Sequence, residues 1–139
     1  MRKYLSLALA LAAGLAGALE AHAQDQFEFD QLVATSGATN GAAQVCGASP
    51  PDLKRHHATA QANFQRYAAE YGYQAGRFEP QFQQGRKDGE KMMTDMRESG
   101  VDGCAGMLGS FQHERDMSYD EMKQGIAEVT DGLPEPKAP

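Results

Sequence analysis

The chain has no tryptophan, one isoleucine and four valines among its 139 residues, so any core has to be built from leucine, methionine, alanine and the other aromatics. No segment alternates apolar and polar positions with β-branched residues, the pattern of a half-buried strand. No repeat of fixed length is present either. These absences remove β-rich and solenoid architectures and predict an all-α fold.

Positive charge is also short. Lys and Arg number 13 against 19 Asp and Glu, and they are scattered among the acids rather than gathered in a stripe. Phosphate-backbone binding needs a basic patch, and an anionic membrane surface attracts one for the same reason. The expected partners therefore exclude nucleic acid and lipid headgroups.

Catalytic signatures are missing. There is no nucleophile elbow, no zinc-protease helix and no glycine-rich phosphate loop. His113-Glu114 starts like a zinc helix, but the second histidine is absent at the required spacing. Glu79, Glu90, Asp95 and Glu98 fall among Lys87-Asp88 and Glu90-Lys91 and read as the solvated face of a helix. The chain is expected not to be an enzyme.

Cysteine is limited to Cys46 and Cys104, and no Cys-x-x-Cys redox pair occurs. What precedes them gives the pair its meaning. Met1-Arg2-Lys3-Tyr4 is a short positive segment, Leu5 to Leu19 is almost wholly Leu and Ala, and Ala21-His22-Ala23 is a small-x-small cleavage pattern before Gln24. About 15 apolar residues fall short of the roughly 20 that a spanning helix needs. Residues 1–23 are thus expected to be a cleaved signal peptide, and the protein to be periplasmic or secreted, with no membrane span. Removal of Arg2, Lys3 and Glu20 leaves 11 basic and 18 acidic side chains, a formal charge of −7. In an oxidising compartment an even cysteine count predicts a structural disulfide between Cys46 and Cys104.

Helical periodicity frames the rest. Leu53, His57, Ala60, Phe64, Tyr67 and Tyr71 fall on one stripe, with Pro50-Pro51-Asp52 at the start and Gly72 at the stop. On that stripe His57 is expected to be buried and His56 solvated. Phe78, Phe82, Gly85, Gly89, Met92 and Met96 make a second stripe ending at Ser99-Gly100. Each glycine on it costs roughly 1 kcal/mol of helix propensity relative to alanine, which predicts close approach of a neighbouring helix. Ala34, Ala38, Gly41 and Val45 keep helical spacing and predict a helix over 27–46, the alternative being a loop through Thr35 to Asn40. Asp102 is placed to cap a short helix bearing Cys104, Met107, Leu108 and Phe111. Ser118 to Glu121 has capping-box form ahead of Met122, Ile126 and Val129.

The sum is a small four- to five-helix bundle over residues 24–132, stapled by one disulfide, with a proline-rich tail at 133–139 expected to be disordered. In an up-and-down bundle the end of the first helix and the start of the fourth meet at one end, which is where Cys46 and Cys104 fall. The expected function is non-enzymatic binding of another envelope or secreted protein, in an inhibitor, immunity, chaperone or accessory role. Tyr73 and Phe78 would form an aromatic partner-binding patch if exposed, whereas core packing is their usual role. The alternative function is Cu(I) binding by thioether and imidazole groups at Met92, Met96, Met107, His113 and Met117. Methionine is equally a usual filler of cores.

Overall fold

The computed structural model describes residues 2–130, with side chains from residue 23 onward. The tail expected at 133–139 and the side chains of residues 1–22, which fall in the expected signal peptide, lie outside the described residues. The described elements are α1 (Arg2–Val45), α2 (Pro50–Tyr71), a 3-10 turn (Ala75–Arg77), α3 (Phe78–Glu98), α4 (Cys104–Arg115) and α5 (Tyr119–Val129). The described residues are all-α. None of their helices is long and apolar enough to cross a membrane.

Local chemistry sets the helix ends. Ser49 caps α2, its hydroxyl accepting from the Asp52 amide, with proline at the first helical positions. Gly72 closes the helix at φ 80°, the left-handed geometry that glycine takes without steric cost. At α5 the Ser118 hydroxyl accepts from the Glu121 amide at 3.2 Å, and the Glu121 carboxylate accepts from the Ser118 amide at 2.7 Å. That is the reciprocal capping box read from the sequence. Asp102 Oδ1 accepts from the Cys104 amide at 3.1 Å and so serves the start of α4.

The principal helix pairing is α1 against α3, and glycine makes it. A Cβ on Gly85 would lie 1.9 Å from the Ala34 carbonyl oxygen, and one on Gly89 would lie 2.1 Å from that of Ala38. The relation is reciprocal, since Gly37 faces the Phe82 carbonyl and Gly41 faces that of Arg86 at similar distances. The two backbones are therefore in direct contact along two helical turns. This settles the 27–46 segment as helix: Ser36-Gly37 and Asn40-Gly41 could turn as isolated dipeptides, but their glycines are the surface on which α3 lies. The propensity lost at four glycines is offset by backbone contact that no larger residue permits.

The row that α3 buries is Phe78, Phe82, Gly85, Gly89 and Met93, whereas Met92 is 46 % exposed. The expected stripe is thus corrected by one residue at its end. After Gly89 the buried row advances by four, because Met93 and Met96 reach beneath the turn at Gly103.

Phe29 and Val33 of α1, Phe64, Tyr67 and Tyr71 of α2, Phe78 and Phe82 of α3, and Tyr119, Met122 and Ile126 of α5 form the apolar core. Burial of each large side chain contributes about 1.5–3 kcal/mol. Val129, assigned to the apolar face of α5 by its spacing, is 74 % exposed. At one end of the core the turn between α2 and α3 is pinned to α1. Buried Asp30 pairs with Arg77 at 2.8 Å and accepts from Gln26 at 2.9 Å, and the Gln26 oxygen accepts from the Gln74 amide. At the other end Cys46, the residue after α1, is bonded to Cys104, the first of α4, with Cα atoms 5.4 Å apart. The staple thus joins the first and fourth helices.

Candidate interaction groove

Between α1, α2 and α5 the surface opens into a groove of about 200 Å³. Leu32, Ala60, Phe64, Met117, Met122 and Ile126 supply its apolar walls, and Val129 stands at its mouth. Its polar contribution comes from Thr35, Ser36, Asn63 and Glu114. Gly125 also lines it, with open space where a Cβ would be.

Glu114 is the single charged side chain of that lining, and its position is set from beneath by a buried histidine. His56 is 0 % exposed. Its Nδ1 lies 3.0 Å from Asn40 Nδ2, and its Nε2 lies 2.8 Å from Glu114 Oε2. The Asn40 amide nitrogen donates to the Leu53 carbonyl at 3.1 Å as well. With both amide hydrogens committed outward, Nδ1 of His56 is the acceptor, so Nε2 carries the proton and donates it to Glu114. Phe111 packs on the imidazole at 4.9 Å between ring centres, and Phe82 lies at 6.2 Å. A fully buried imidazole, oriented by an amide on one side and by rings on its faces, thus fixes a carboxylate at the groove.

The two histidines exchange the roles read from the sequence. His57 is partly exposed and meets Glu79 at 2.9 Å, while His56 is the buried one. Both positions suit helical spacing from Ala60. The placement of α4 against α2 decides between them: it brings Phe111 and Glu114 over His56, whereas His57 meets the rim of α3 at Phe78 and Phe82. Burial tends to raise the Glu79 carboxyl, but hydrogen bonds from Gln83 and His57 outweigh it and hold the group below its ordinary range.

The other expected site residues are dispersed. Met92 and Met96 share a shallow groove with Asp88 and Asp95 on α3, Met117 lines the apolar groove, Met107 is half-buried on α4 and His113 is exposed. Among the described residues no group of three or more His, Cys, Asp or Glu side chains is placed to hold a metal ion. The exposed aromatic patch does not form. Phe78 is 2 % exposed, and Tyr73 is half-buried and stacked on Phe29 at 5.0 Å. The turn that carries Tyr73 is pulled inward by Gln26, so both rings serve the core.

A third polar cluster binds α5 to α2. Glu70 accepts from Lys123 at 2.8 Å and from the Tyr119 hydroxyl, with Arg66 over the Tyr119 ring. The Lys123 hydrogen bond, followed by that from Tyr119, holds the Glu70 carboxyl below its usual value. Burial pushes the Tyr119 hydroxyl well up. Sequence reasoning missed the groove and its carboxylate altogether. The one available signal was Glu114 in a helix whose neighbour Phe111 is apolar, which says nothing of what lies opposite.

No protein-family model, curated protein or solved structure matches the chain.

Proposed function

We propose that this is a non-enzymatic exported helical protein that binds another envelope or secreted protein, as an inhibitor, immunity factor, chaperone or accessory subunit. The groove between α1, α2 and α5 carries this reading. Small-molecule sites commonly occupy about 300–1,000 Å³, whereas this groove holds about 200 Å³ and opens beside the exposed Val129. That space suits one anchoring side chain of a protein partner better than a free metabolite.

Two further features support export. A staple between Cys46 and Cys104 persists in an oxidising compartment. Among the residues whose side chains are described, Ala23, Gln24 and Asp25, at and just past the expected cleavage point, are exposed, and Gln26 is the first in sequence to be buried. The mature chain starting at Gln24 retains every contact of the Gln26 and Asp30 cluster.

Photo-crosslinking in the native host tests the reading. A benzophenone side chain at Val129 should give one defined adduct band, and the same group at Met92, on α3, should not give that band. Absence of any adduct at Val129, or the same bands at both positions, overturns the proposal.

A further inference from the structure

Glu114 is a carboxylate without a cation. Among the described residues its side chain meets His56 alone, and through Oε2, leaving Oε1 without a hydrogen-bond donor. The donor is the neutral imidazole tautomer fixed by Asn40, so the hydrogen bond orients the carboxylate and does not neutralise it. The nearby arginines are committed elsewhere: Arg55 pairs with Asp116, and Arg115 with Asp116 and Asp52. Glu114 is only 29 % exposed and stands against apolar walls. An unpaired charge in such a setting is costly until an opposite charge arrives.

We propose, on the reading that the groove receives a protein partner, that the occupant is a lysine or arginine side chain from a basic, apolar-flanked segment of that partner. Its aliphatic stem lies along Met117, Met122 and Ile126, and its charged head meets the free oxygen of Glu114. Long basic side chains combine an apolar stem with a charged tip, and the groove pairs apolar walls with a single carboxylate. The acidic balance of the whole chain steers a basic segment toward it. The buried His56 is a positioning residue for this contact.

The test uses n-hexylammonium as a mimic of the lysine side chain, with hexanol and hexanoate for comparison, followed through the methyl resonances of Met117, Met122 and Ile126. Hexylammonium should shift these resonances and bind more tightly than either analogue. Glu114→Gln keeps an oxygen acceptor for His56 but removes the charge, and should weaken hexylammonium binding about fivefold while leaving hexanol binding unchanged. Equal binding of the three probes, or an unchanged hexylammonium affinity in Glu114→Gln, overturns the cationic assignment. Val129 crosslinking separates this from failure of the underlying reading. An adduct of equal yield in wild type and Glu114→Gln keeps the protein-binding role and overturns the basic anchor. Loss of yield in Glu114→Gln, with the melting temperature unchanged, supports it. If Glu114→Gln melts lower, Gly125→Leu, which fills the groove from open space, has to abolish the hexylammonium shifts; persistence of those shifts overturns the proposal.

Discussion

Replacing Gly89 by alanine should destabilise the protein, although alanine is the better helix former. Propensity alone favours the change by about 1 kcal/mol. Against it, the new Cβ would lie 2.1 Å from the Ala38 carbonyl oxygen and 2.7 Å from the Ala38 Cα, where no flexible side chain is available to yield. To restore a tolerable separation α1 and α3 have to part by about 1 Å, which loosens the reciprocal contacts at Gly37, Gly41 and Gly85 together. Overpacking of this kind costs about 3 kcal/mol at the upper end of the usual range, leaving a net loss of about 2 kcal/mol. With roughly 4 °C per kcal/mol in a domain of this size, the melting temperature should fall by about 8 °C. Gly109→Ala in α4 is the control, because its Cβ would meet open space; it should gain up to about 1 kcal/mol. Thermal melts followed by circular dichroism read both. If Gly89→Ala melts at or above the wild type, direct backbone contact is not what holds α1 to α3.

Further predictions follow from the staple, the buried amide and the carboxylates. Cys46→Ser with Cys104→Ser releases a loop with sequence separation 58 and should cost about 4 kcal/mol on the loop-entropy account, measured by urea denaturation. Asn40→Ala strips the Leu53 carbonyl and His56 Nδ1 of their donor and should cost about 2 kcal/mol, whereas Thr94→Ala on the exposed face of α3 should cost little. The carboxyls of Glu70, held low by Lys123 and then Tyr119, and of Glu121, held low by the Ser118 amide, are depressed on folding. The stability they supply is therefore complete above their ordinary value of 4.5 and is lost as pH falls through their lower folded values. Melting temperature should decline below that value, and Glu70→Gln should start lower near neutrality and decline less. A Glu70→Gln profile parallel to wild type would refute this assignment.

The frame of the molecule was legible because local chemistry writes it. Pro50-Pro51, Gly72 and the Ser118 box fix helix ends within a few residues of themselves, and the disulfide followed from an even cysteine count, an expected oxidising compartment and helix order. The contribution of Gly85 and Gly89 was legible for a different reason: two glycines on a buried row lose propensity and demand a close neighbour. What failed were choices between adjacent positions. His56 and His57, like Met92 and Met93, both satisfy helical spacing, and only the placement of α4 and of the Gly103 turn decides which is covered. Tyr73 and Phe78 were ambiguous for the same reason, since the inward pull of Gln26 on their turn is a contact across 48 residues. The groove was illegible because α1, α2, α4 and α5 each supply part of it, and no one of them carries its pattern.

The most direct test of the account is Gly125→Leu. Open space surrounds the position where the new side chain would project, and the residue lines the groove on α5. The substitution should therefore raise the melting temperature while abolishing the Val129 adduct. A stable Gly125→Leu protein that still forms the adduct would show that the partner sits elsewhere, and would contradict the central claim.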